Sequence, residues 1–193
     1  MKILISSNSY WNLYNFRYDL IHELRKNDHN VYLLSPTDEY TKKFAEMGCV
    51  CLNLRMKSNK ISILSDLKLL INYFKIFFFE KPDYYLAFTI KPNVYGSIIT
   101  RILGIKTINT ITGLGTTFIK NTYLKNIVIF LYKKSLKRSL KVFFHNNEDS
   151  SLFIKLNIVN KIQIEVIPGS GVNINKYKYI PLIKRNKENL VFL

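Results

Sequence analysis

Short runs of β-branched and apolar residues alternate along the chain with longer segments whose apolar positions recur every three or four residues. That alternation predicts βαβ units around a doubly wound parallel sheet, an α/β fold. Strands are predicted at Lys2–Ser6, Asn30–Ser35, Val50–Leu54, Tyr84–Phe88, Thr107–Ile111, Val142–His145 and Gln163–Ile167. Their near-continuous hydrophobicity suits strands covered by helices on both faces. Helices are predicted at Phe16–Lys26, Glu39–Met47, Ile63–Glu80, Val94–Leu103, Tyr123–Leu140 and Glu148–Leu156, with Asn15 capping the first and Gly104 closing the fourth.

In the predicted helix from Tyr123, an apolar stripe of Leu124, Ile127, Val128 and Leu131 lies opposite a basic side made of Lys133, Lys134, Lys137, Arg138 and Lys141. The stripe is expected to pack on the sheet and the cations to face an anionic membrane surface, with a solvated basic face as the alternative. The most hydrophobic stretch, Leu69 to Phe79, is interrupted by Lys75, so no bilayer span is predicted. Met1 leads straight into a strand core rather than a secretion leader, and the expected location is cytoplasmic.

Hydrophobic residues make up 48% of 193 residues, enough to bury a core and to exclude intrinsic disorder. The net charge of +16 favours phosphate-bearing partners without choosing among them. Cys49 and Cys51 point to one face of a strand-like run, poor geometry for a mutual disulfide, and are expected to be buried free thiols. The first βα turn has no G-x-G-x-x-G, and no G-x-x-x-x-G-K-[ST] occurs anywhere, which excludes nicotinamide binding and nucleotide hydrolysis of those types.

In open α/β sheets ligands bind beyond the carboxyl ends of the strands. After the first strand, Ser6 to Arg17 gathers hydroxyls, amides and a guanidinium near a helix start, either an anion site or a capped helix with aromatic packing. Asn15 and Arg17 are the candidates there. After the fourth strand come Thr89, Lys91 and Asn93, where Lys91 is either a phosphate or sugar ligand or a solvated turn residue. After the fifth, Thr112, Gly113, Leu114 and Gly115 allow close backbone approach. Beyond the sixth, Asn146 and Glu148 follow His145 as a polar cluster or a plain helix cap, and no catalytic role is assigned to His145. Gly169 and Gly171 punctuate the end of the last strand.

Read in order, Lys2-Ile3-Leu4-Ile5-Ser6, Leu13-Tyr14-Asn15-Phe16-Arg17, Thr89-Ile90-Lys91-Pro92-Asn93, Thr112-Gly113-Leu114-Gly115 and Pro168-Gly169-Ser170-Gly171-Val172-Asn173 resemble the N-terminal half of family 4 glycosyltransferases. The likeness is strongest to the bacterial subgroup that builds capsule, O-antigen and lipid-linked glycans. It implies a Rossmann-like sheet forming one half of a two-domain GT-B enzyme, with residues 1–168 as the acceptor-side domain, 169–188 as a linker and 189–193 as the first strand of a donor-binding domain cut short. It also implies a retaining transfer without metal or cofactor, from a nucleotide sugar, expected to be a UDP sugar, to a polyprenyl-diphosphate-linked saccharide. The enzyme would be peripheral at the inner face of the bacterial cell membrane, and the fragment alone would be inactive. The sequence is compatible with this, since it contains no Asp-x-Asp metal motif. The rivals are an inactive membrane-associated scaffold and a basic nucleic-acid-binding domain. The latter lacks a recognition motif, and no nucleic-acid partner is expected.

Overall fold

The computed structural model describes residues 1–56, 63–114 and 123–174, which form a seven-stranded, all-parallel sheet in the order β3-β2-β1-β4-β5-β6-β7. The strands are β1 Lys2–Ser6, β2 Asn30–Ser35, β3 Val50–Asn53, β4 Tyr84–Phe88, β5 Lys106–Ile111, β6 Lys141–Phe144 and β7 Ile164–Val166. Each predicted strand is present, with ends displaced by a residue at most. The helices are α1 Tyr10–Phe16, α2 Tyr18–Lys26, α3 Thr41–Glu46, α4 Ile63–Glu80, α5 Ser97–Leu103, α6 Tyr123–Leu136 and α7 Asn147–Lys155.

Alternate residues of β1 point to opposite faces and define two helical layers. Ile3 and Ile5 join Val31, Leu33, Tyr10, Leu13, Ile21 and Phe44 against α1, α2 and α3. Leu4 joins Leu34, Leu69, Tyr73, Phe77 and Ile99 against α4 and α5. Farther along the sheet, Val142 and Phe144 pack with Tyr132 and Leu136 of α6 and Phe153 of α7.

Three helices differ from the sequence reading. The segment predicted as one helix capped by Asn15 is two: Ser9 caps α1 by accepting from the Asn12 amide, Asn15 lies inside α1 and donates to the Trp11 carbonyl at 2.9 Å, and Arg17 forms the corner before α2. The helix predicted from Val94 opens instead as a π turn, Pro92–Gly96, because the Tyr85 ring occupies the space beside Gly96 while its hydroxyl donates to the Pro92 carbonyl at 3.1 Å.

The third difference is in α6, which stops at Leu136; Lys137 and Arg138 lie in the following turn and Lys141 opens β6, 3.6 Å from Glu165. Its buried face runs through Tyr132, Ser135 and Leu136, with Val128 and Leu131 partly buried, whereas Ile127 is exposed. The expected stripe is therefore turned: the placed part of it, Ile127 to Leu131, straddles the edge of the packed face instead of forming its centre. Cys49 is buried and Cys51 half-buried, both free, and burial pushes the Cys49 thiol up to about 11.

A Cβ on Gly96 would collide with the Tyr85 hydroxyl and ring, and Tyr85 is fully buried. Gly96→Ala is therefore expected to cost roughly 1–3 kcal/mol by overpacking. Urea unfolding of the two proteins measures this, and an unchanged midpoint would show that the π turn yields without cost.

Candidate functional site

Because the strands are parallel and in register, Ser6 lies beside Ala87, Phe88 beside Thr110 and Ile111 beside Phe144. The loops after β1, β4, β5 and β6 therefore leave one edge of the sheet. Many polar groups at that edge are consumed by the fold. The Ser6 hydroxyl donates to the Leu34 carbonyl at 2.7 Å, the Ser7 hydroxyl to Asn12 Oδ1 at 2.7 Å, and the Ser35 hydroxyl to the Ser7 carbonyl at 3.0 Å.

Arg17 is different. It is 93% removed from solvent, counting from a relative exposure of 7%. Its guanidinium carbon stacks 4.3 Å from the centroid of the Phe88 ring, and its Nε is buried with no hydrogen-bond partner. Among the described residues no carboxylate pairs with it, and burial lowers its pKa to about 10. Thr89, next in sequence to Phe88, has a left-handed φ of 64°, a strained conformation for a β-branched residue, and its buried hydroxyl is also unpartnered. At the end of β6 the buried Nε2 of His145 lacks a partner too, and burial together with the Arg17 charge lowers the pKa of its imidazole. The remaining orphan, Arg25 Nε, belongs to α2, where the same guanidinium donates to the His29 carbonyl.

A cleft of about 580 Å³, which Arg17 lines, opens between the α1–α2 corner and the turn after β7. It brings Asn15, Arg17 and Gly171 together, with Trp11 and Phe16 as aromatic walls and Asn173 donating to Asp19 at 3.1 Å across it. Gly169 and Gly171 both take positive φ, which shapes that turn.

The other sequence candidates have different surroundings. Lys91 forms a 2.7 Å ion pair with Asp66 of α4 in which both side chains are nearly buried, and Tyr95 hydrogen-bonds the same carboxylate. Asn93 is buried in a network beneath the sheet edge. It donates to the Thr110 carbonyl and accepts from Asn109, which donates to Ser97 and accepts from Ser139. Thr112 and Gly113 are exposed after β5 and Leu114 is half-buried; a Cβ on Gly113 would meet nothing within 4 Å. Gly115 falls outside the described residues. Asn146 caps α7, accepting from the Asp149 amide and donating to its carboxylate, and Glu148 is exposed in the first turn.

Two participants went unrecognised in the sequence. Phe88 serves as the platform for Arg17, a role that a strand-core phenylalanine does not announce. His145 did carry a signal, its place at a strand end, but only the structure shows its buried nitrogen without a partner.

Residues 2–146 match the family model described as glycosyl transferase 4-like. The chain is 24% identical over 192 residues to the N,N'-diacetylbacillosaminyl-diphospho-undecaprenol alpha-1,3-N-acetylgalactosaminyltransferase of Campylobacter jejuni, covering 97% of this chain and 51% of that protein. It is 29% identical over 118 residues to the UDP-Gal:alpha-D-GlcNAc-diphosphoundecaprenol alpha-1,3-galactosyltransferase of Escherichia coli, covering 61% and 30% respectively. The chain thus spans about half the length of the first of these relatives. Among solved structures, the Anabaena HepE protein in complex with UDP and glucose superposes with a TM-score of 0.64 over 94% of this chain and 47% of that one, at 17% identity, a likeness of fold.

The cluster makes a prediction that needs no ligand. His145 should titrate below 6.5 when followed by NMR, and Arg17→Gln should raise its midpoint by removing the nearby positive charge while leaving the burial. Since the folded pKa lies below the unfolded one, His145 favours the fold above the unfolded pKa, and that contribution is lost as pH falls through the folded pKa. An unmoved midpoint in Arg17→Gln would separate the two side chains.

Proposed function

The chain belongs to the glycosyl transferase 4-like family, and from that premise we propose that it is the acceptor-side half of an enzyme transferring a hexosyl or N-acetylhexosaminyl group from a UDP sugar to a lipid-diphosphate-linked saccharide. The single observation that carries the site assignment is the buried Arg17 guanidinium, stacked on Phe88 with no carboxylate partner among the described residues and lining a cleft beside the α1–α2 corner. A diphosphate is the anion that both substrates have in common. A cation already stripped of water holds such an anion more strongly than a solvated one, because its electrostatic field is not spent on orienting solvent.

Arg17 acts as the anion ligand, Thr89 and His145 supply further polar contacts, and Asn15 with the Gly169–Gly171 turn bounds the saccharide. Trp11 and Phe16 offer apolar faces for sugar rings. Asn93, Lys91 and Asn146 hold these loops in place rather than touching substrate. The remaining chemistry, including anchoring of the nucleotide, belongs to a second domain beyond residue 188. The reaction retains anomeric configuration and uses no metal, consistent with the lack of an Asp-x-Asp sequence. Among the described residues no helix is long and apolar enough to cross a membrane. A lipid-borne acceptor then calls for attachment at the inner membrane surface, with Lys133, Lys134, Lys137 and Arg138 supplying charge.

The test is transfer of labelled sugar from UDP-GlcNAc, UDP-GalNAc or UDP-Gal to polyprenyl-diphosphate saccharides by the full-length protein. Transfer should persist in chelator, and Arg17→Ala should lower kcat/KM by about 100-fold, as loss of one buried electrostatic contact does. Loss of transfer in chelator with recovery on adding manganese would refute the metal-free reading, and an unaffected Arg17→Ala would refute the site.

A further inference from the structure

Helix α4 carries its buried face on Leu69, Tyr73 and Phe77, as a helix in this layer must. Its opposite face is also apolar. Leu64, Leu67, Ile71, Phe74 and Phe78 recur at intervals of three and four residues, and each is between 40% and 76% exposed. Over one helix, that spacing places them in a single stripe roughly 21 Å long, pointing away from the sheet. Exposed apolar residues scattered singly need no explanation; five in register on one helix mark an interaction surface.

The charges around the stripe select its partner. The helix has two acidic residues, and both are neutralised away from the stripe: the buried Asp66 pairs with Lys91 at 2.7 Å and the half-buried Glu80 with Lys2 at 2.8 Å. The polar residues bordering the stripe are Lys68, Asn72 and Lys75, all exposed. A second copy of the chain laid along this face would bring lysines toward lysines with no carboxylate on the face to meet them. An anionic bilayer satisfies both components, taking the apolar side chains at the acyl boundary and the lysines among its headgroups.

We propose that α4 is an interfacial helix that lies in the surface of an anionic bilayer through Leu64, Leu67, Ile71, Phe74 and Phe78. This differs from attachment by charge alone through the α6 region, although α5 packs against both α4 and α6, so the two surfaces are neighbours. The Lys91–Asp66 pair ties the first turn of α4 to the loop after β4. The apolar stripe therefore begins beside the loop after β4, the loop that opens with Thr89 next to the Arg17 platform Phe88. A bilayer held there would present the diphosphate of a lipid-borne acceptor to the same edge of the sheet. That last placement rests on the transferase reading; the bilayer contact itself does not.

Co-sedimentation with sugar-free vesicles of phosphatidylglycerol and phosphatidylcholine tests the contact apart from any transfer reaction. The parent should bind, and a fraction of the binding should survive high salt. Ile71→Ser, Phe74→Ser and Phe78→Ser combined should lower the partition coefficient by about tenfold or more and remove the salt-resistant fraction. Replacing Lys133, Lys134 and Lys137 by Gln should reduce only the salt-sensitive fraction. In a separate variant that keeps the stripe apolar, fluorescence of Phe74→Trp should be quenched by brominated acyl chains beyond the quenching of the parent's Trp11. Equal partition of the triple variant and parent, absence of added quenching, or a parent whose α4 substitutions abolish a dimer without changing vesicle binding would each overturn the proposal.

Discussion

The structure depends on the reversal of chain direction across β1. The first three strands are laid down outward from β1 to one edge, and the chain then returns along α4 to place β4 on the other side of β1. All later strands continue away from it. This winding covers one face of the sheet with α1, α2 and α3 and puts α4 and α5 on the other. It also puts the loops after β1 and β4 side by side at the switch point, the place where open α/β sheets bind ligands.

Arg17, held over Phe88 at the end of β4, sits there at an energetic disadvantage. Removing a guanidinium from water costs several kcal/mol, and stacking on Phe88 recovers on the order of 1–2 kcal/mol. The surrounding polar groups offer no further relief, since the serines after β1 and the Asn93–Asn109 network are bonded to one another. A fold that satisfies nearly every buried polar atom at this edge while leaving Arg17, Thr89 and His145 unsatisfied has concentrated its deficit where a ligand can offset it.

The sheet was legible because parallel strands buried on both faces write themselves as apolar runs, and α4 could be bounded to the residue by the spacing between Ile63 and Glu80. The π turn was not legible. It depends on Tyr85, several residues earlier, wedging beside Gly96, a tertiary contact that local periodicity does not encode. Arg17 was legible from its position in the first βα loop, but its lack of a carboxylate partner among the described residues was not. Lys91 shows the reverse, a cation of the same apparent availability that the fold pairs with Asp66, 25 residues away in sequence. The solvent exposure of one apolar side of α4 also escaped the sequence, because a helix apolar on both sides reads simply as buried.

The receptor we propose for a diphosphate is the desolvated Arg17. Calorimetric titration of inorganic pyrophosphate into the parent protein and into Arg17→Gln measures this role without donor, acceptor or membrane. The parent should bind, and the variant should bind about tenfold or more weakly, the loss expected for one charge-assisted contact. Equal affinity in the two proteins, both folded, would contradict it.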